Sequence, residues 1–129
     1  MSAFEKYVGV PFEDHGRTLQ GLDCWGGVKL VLEEQFGIRD LPDFHARYQT
    51  SRDRALPDIF LDEMRNWIKV EKPQPGDVVI LKIGGKPRHA GVVIGHNQML
   101  SVERGTGSCI ERLDSVRWTG RIEGFYRRG

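Results

Sequence analysis

Apolar residues recur at helical spacing in two places in the first half of the chain, and in short β-branched runs in the second. Val28, Leu30, Val31 and Leu32 predict a helix over residues 25–36, with Gly37 as its stop. Ile59, Phe60, Met64, Trp67 and Ile68 predict a second amphipathic helix over 56–68, with Pro57 near its first turn and Asp58 as a cap. After Pro73, Pro75 and Gly76 the period changes. Residues 77–83 and 89–95 form apolar, β-rich runs separated by the turn Gly84-Gly85-Lys86. Further strands are expected over 99–103, 109–113 and 121–126, divided by His96-Asn97 and by Gly105 and Gly107. Helices first and closely spaced strands afterwards predict an α+β fold, with N-terminal helices packed on a C-terminal antiparallel β-sheet. The segment from Tyr7 to Phe12 is a short extended entry, and residues 44–54 are a weakly patterned, Arg-rich connection.

Length changes this picture little: 129 residues suffice for one domain with its own core, taken here as residues 1–129. No apolar run is long enough to span a bilayer, which argues against membrane insertion. The first residues, Met1 to Lys6, lack the apolar segment of a secretory signal, so the protein is expected to be made in the cytoplasm and carried to its place of action. Net charge is +1, but residues 1–65 carry a net −4 and residues 66–129 a net +5, much of the excess at Arg117, Arg121, Arg127 and Arg128. A near-neutral total argues against a dedicated nucleic-acid binder, and a solvated basic face is the expected role of that tail.

Cys24 and Cys109 lie far apart, form no CxxC pair and are expected to stay reduced. With the four histidines they make no finger-like spacing, so neither a metal nor a cofactor is expected. Cys109 is expected to be a buried packing residue of its strand. Cys24 is different. It sits where the first helix begins, where unpaired backbone N–H groups and the helix dipole favour a thiolate and could stabilise an oxyanion. Gly21, Gly26 and Gly27 around it would leave room for a substrate backbone, and Asp23 is expected to cap or brace the helix start. A nucleophilic cysteine needs a base. His89, opening an apolar strand, is the candidate; His15, His45 and His96 fall in turns or loops and read as solvated surface.

Three motifs then fall in register. Gly21-Leu22-Asp23-Cys24-Trp25-Gly26 resembles the Asp-Cys-(Ser/Trp)-Gly motif of the NlpC-type cell-wall cysteine peptidases. Pro75-Gly76-Asp77-Val78-Val79 is similar to their Pro-Gly-Asp-Leu-Val strand entry. His89-Ala90-Gly91-Val92-Val93-Ile94-Gly95 resembles their His-(Val/Ala)-Gly-Ile-Tyr-x-Gly strand. The resemblance implies a papain-like fold, Cys24 as nucleophile, His89 as general base, and hydrolysis of peptidoglycan stem peptides, usually between D-glutamate and a diamino acid. Relatives commonly carry His as the third, orienting residue. Here that position is Ser101, with Glu103 and His96 near it in sequence. Phe12 stands where many relatives have a cleft-facing Tyr.

Trp25 after the cysteine, and the short length, look most like the branch found in tailed bacteriophages and phage-like particles. That branch implies tail-tip or baseplate proteins as partners and action in the cell wall. The leading reading is a thiol endopeptidase. A structural tail component that keeps the fold without cutting, and an amidase or acyltransferase using the same pair, are the alternatives.

Overall fold

The computed structural model describes residues 3–129. A 3-10 turn at Glu5–Tyr7 leads to a two-stranded hairpin, β1 (Arg17–Thr18) and β2 (Gly21–Leu22), and directly into helix α1 (Cys24–Phe36). Helix α2 (Leu56–Met64) follows. The strands β3 (Ile68–Val70), β4 (Val78–Ile83), β5 (Lys86–Gly95), β6 (Gln98–Glu103), β7 (Gly107–Arg112) and β8 (Ile122–Arg127) then form one sheet in the order β3-β8-β4-β5-β6-β7. All its pairings are antiparallel, so the fold is the α+β arrangement that the pattern predicts.

Alternation along the strands splits the core in two. Val78, Ile80, Ala90, Val92 and Leu100 face the helices and pack with Trp25, Val28, Val31, Leu32 and Phe60. Val79, Leu81, Val93 and Met99 face the other way, onto Leu113 and Trp118. Trp25 fixes the start of α1 to this framework. Its indole N–H donates to Pro42 O at 2.8 Å, and its ring lies 4.9 Å from that of Phe44 and 5.8 Å from that of Phe60.

The helix ends follow local chemistry. Asp23 accepts the Gly26 N–H at 2.8 Å as the N-cap of α1, and Gly37, at φ 70°, closes it in the left-handed conformation. The second helix is shorter than its apolar spacing predicts. It ends at Met64, and Ile68 is not a helical position: it pairs with Arg127 across the β3–β8 edge and is exposed. Ala55 takes the N-cap position of α2 without a side-chain bond; Asp58 lies inside the first turn instead of capping it. Gly84 and Gly85, at φ 61° and 78°, make the two-residue turn of the β4–β5 hairpin, which lets β5 begin at Lys86, three residues before His89.

Candidate active site

Asp23 is 2% exposed and holds together the loop in front of α1. One carboxylate oxygen accepts from Gly26 N–H and from the Arg17 guanidinium, both at 2.8 Å. The other accepts from the His15 N–H at 2.9 Å and from the Tyr48 hydroxyl. Arg17 also donates to Asp43 Oδ1 at 2.5 Å and to Tyr48 OH at 3.0 Å. A buried carboxylate with this many donors is satisfied, and its partners are fixed by it. Tyr48 comes from the unpatterned 44–54 connection, and nothing local in the sequence marks it. His15 is half-buried, with Nε2 2.7 Å from Tyr48 O and its ring 4.7 Å from His45, so it belongs to this brace and not to free surface.

The glycines serve the same packing. A Cβ on Gly26 would lie 1.9 Å from Gly16 O, and one on Gly27 2.7 Å from Val102 Cγ2. One on Gly21 would meet the Glu13 side chain at 2.3 Å. Their lack of side chains admits neighbouring parts of this chain, not a substrate backbone.

Cys24 is the first residue of α1 and is 6% exposed. Burial, with the Asp23 charge adding to it, pushes its thiol up to about 12, whereas the N–H groups of Ala90 and Trp25 favour the thiolate. The helix start therefore does not depress the thiol pKa as expected: desolvation outweighs the dipole. The Ala90 N–H places the sulfur beside the residue that follows His89 on β5.

His89 is 3% exposed. Its place in the β5 alternation puts it on the sheet face away from α1, where its ring stacks on Trp118 (centroids 5.6 Å apart, 12° between planes). Burial is the main reason its imidazole is pushed down to about 4; Glu103 opposes that shift and Arg117 adds to it. Cys24 and His89 both line a cavity of about 260 Å³, together with Phe12, Ser51, Val102 and Glu103 and with Arg52, Arg88 and Arg104 on its rim. The Arg104 guanidinium lies 4.9 Å from the Phe12 ring centroid. With the thiol pushed up and the imidazole pushed down, both groups rest neutral and form no standing ion pair.

The expected bond from Ser101 to the imidazole is not made. Ser101 is buried, opposite Gly91 on one side and Cys109 on the other, and its hydroxyl donates to Glu111 Oε1 at 3.5 Å. His89 Nε2 has no hydrogen-bond partner among the described residues. His96 sits in the β5–β6 turn and lines a different depression, with Pro73 and Pro75. Glu103 lies at the Cys24–His89 cavity and pairs with Arg117, which stacks 4.3 Å over Trp118. Trp118 and Arg117 both come from the irregular connection between β7 and β8, where no periodicity marks Trp118; Arg117, expected on a solvated basic face, is instead paired with Glu103 and laid over the Trp118 ring.

Cys109 is free like Cys24, but half-buried instead of fully buried. The basic tail is largely engaged: Arg127 forms a two-pronged bond to Asp77 at 2.8–2.9 Å, and Arg128 donates to Asp40 at 2.8 Å. Among the described residues no three His, Cys, Asp or Glu side chains converge as a metal site, and no helix is long and apolar enough to cross a membrane.

The NlpC/P60 family model matches residues 9–127. The murein DD-endopeptidase MepS/murein LD-carboxypeptidase of Escherichia coli K12 is 28% identical over 121 residues, covering 94% of this chain and 57% of the relative. A protein of Haemophilus influenzae named as a probable endopeptidase NlpC homolog is 30% identical over 117 residues, 91% of this chain and 55% of that one. The chain thus spans little more than half the length of these relatives. An NlpC/P60 family protein from Bacillus cereus superposes with a TM-score of 0.68 over 95% of this chain and 36% of its own; at 21% identity it speaks to the fold alone.

Proposed function

From the chain's membership of the NlpC/P60 family, we propose that it is a thiol peptidase that opens stem peptides of peptidoglycan, between D-glutamate and a diamino acid, through Cys24 and His89. The observation that carries this reading is the meeting of Cys24 and His89 at one cavity, with the Ala90 N–H at the sulfur. The imidazole takes the thiol proton as the sulfur attacks the scissile carbonyl. The oxyanion forms over the first turn of α1, whose leading backbone N–H groups are the donors a helix start leaves without intrahelical partners. The imidazolium gives its proton to the leaving amine. Water, deprotonated by the same ring, then hydrolyses the thioester and frees Cys24.

The cavity rim supports the substrate class. Arg52, Arg88 and Arg104 border the cleft, and a stem peptide linked through the D-glutamate side chain offers them its free α-carboxylate. Delivery by a phage or phage-like tail, with tail-tip proteins as partners and the cell wall as the place of action, is the finer part of the proposal. It rests on the Asp-Cys-Trp-Gly form of the nucleophile motif.

One observation favours the reading as a non-cutting tail component: His89 lacks an orienting bond while Ser101 is turned to Glu111. Incubation with defined stem peptides and mass spectrometry of the products separates the two. The peptidase yields a new amine on the diamino acid that is absent with Cys24→Ala. Intact peptides with both proteins would identify the structural component.

A further inference from the structure

Three buried side-chain polar atoms lack a hydrogen-bond partner among the described residues, and two of them, His89 Nε2 and Glu103 Oε1, belong to residues lining the same cavity. An unpaired polar atom in a desolvated place carries a cost that a hydrogen bond relieves, so two such atoms in one site point to each other or to a shared ligand. The strands say which. β5 pairs with β6 at Gly91↔Ser101, Val92↔Leu100 and Val93↔Met99. Carrying that register two residues further sets Glu103 across from His89, on the face that holds Val93, Met99 and Trp118. Ser101 lies one step back, and the only side-chain partner of its hydroxyl among the described residues is Glu111 Oε1, at a long 3.5 Å. The second oxygen of Glu103 is held by Arg117, which also reaches Glu111 at 3.4 Å and covers the Trp118 ring on which His89 stacks.

Resting on the thiol-peptidase reading, we propose that Glu103, and not Ser101, is the positioning residue of His89. Its free oxygen accepts the Nε2–H and leaves Nδ1 to take the thiol proton, while Arg117 competes for the same carboxylate and sets how firmly it does so. The Arg117 bond uses the other oxygen of Glu103 and leaves this one without a partner among the described residues. When Nδ1 receives the Cys24 proton, the ring carries N–H on both sides, and Nε2–H faces a carboxylate. The proton stays on the imidazolium and none passes to Glu103. This arrangement restores what a serine at position 101 cannot provide, a charged acceptor for the imidazolium.

The charged and titratable groups around the ring agree with these roles. Glu103 on β6 favours the imidazolium and Arg117 in the β7–β8 connection disfavours it. Glu111 on β7 acts on Arg117. Cys24, with Asp23 beside it, approaches from the α1 side, and Arg88 precedes the ring on β5.

The test is histidine ring 15N NMR on the resting full chain across pH, in wild type, Glu103→Gln, Glu103→Ala, Arg117→Met and Ser101→Ala, beside pH profiles of kcat/KM on a defined stem peptide. The wild-type ring is expected as the Nε2–H tautomer. Its pKa should fall in both Glu103 variants, rise in Arg117→Met and stay in place in Ser101→Ala. Glu103→Ala should lose on the order of 10- to 100-fold in kcat with little change in KM, the range for one charge-assisted hydrogen bond; Glu103→Gln, still an acceptor, should fall between. An unmoved ring titration and tautomer in Glu103→Gln, or a ring that responds to Ser101→Ala instead, would overturn the assignment. The ring readout needs no turnover. If peptides stay intact while the ring answers to Glu103, the positioning role stands and the peptidase reading fails.

Discussion

Acidification should unfold this protein partly through one histidine. His89 is 3% exposed, and burial holds its imidazole down to about 4, against an ordinary value of 6.5. The native state therefore refuses a proton that the unfolded chain accepts. Well above pH 6.5 neither state is protonated and the residue contributes no pH dependence. As pH falls from 6.5 towards 4 the unfolded state binds the proton first, and stability drops along the way. Binding linkage between those two values puts the loss at about 2 kcal/mol at pH 5 and about 3 kcal/mol at pH 4, with little further change below that. Carboxylates in ion pairs titrate over an overlapping range, so the useful quantity is a difference. Urea unfolding at pH 7, 6, 5 and 4 for wild type and His89→Gln should show the gap between the two proteins shifting by those amounts in favour of the variant. A gap that stays constant with pH would refute the claim that His89 is buried and neutral.

Asp23→Ala should cost about 3–5 kcal/mol in unfolding free energy, because it strands the half-buried Arg17 guanidinium and removes the cap of α1; thermal denaturation reads this directly. Asp23→Asn should lower the Cys24 pKa, since the Asp23 charge helps raise it, and thiol titration by ultraviolet absorbance checks the direction. Gly26→Ala should be far more damaging than Gly27→Ala, as the first new Cβ meets backbone at 1.9 Å and the second meets one methyl of Val102 at 2.7 Å. Comparative melting temperatures decide it, with about 1–3 kcal/mol expected for Gly27→Ala. Cys109→Ala, at a half-buried strand position, should cost less than about 1 kcal/mol and leave peptide cleavage unchanged.

What could be read from the sequence was what local chemistry decides. Asp23 before Cys24 and Gly37 after Phe36 bounded α1 to within one residue, and the β-branched runs placed the main strands. The apolar period extends past the end of the second helix because Trp67 and Ile68 continue it, while β8 captures Ile68 as an edge pair. The candidate pair Cys24 and His89 was legible as residues at a helix start and a strand start. Their environment was not. Tyr48 reaches Asp23 across 25 residues, and Trp118 reaches His89 across 29, from segments without periodicity. The thiol and imidazole pKa directions are set by that burial. Likewise Ser101 stands where the family resemblance puts an orienting residue, yet its hydroxyl faces Glu111 on β7.

The central claim, that Cys24 accepts an acyl group with the help of His89, is tested most directly by intact-mass spectrometry of acid-quenched protein during incubation with purified muropeptides. The expected result is a mass gain equal to the acyl half of the substrate, mapped to the peptide that contains Cys24. It should be missing in Cys24→Ala and strongly reduced in His89→Ala. Cleavage products that continue to accumulate with Cys24→Ala would contradict it.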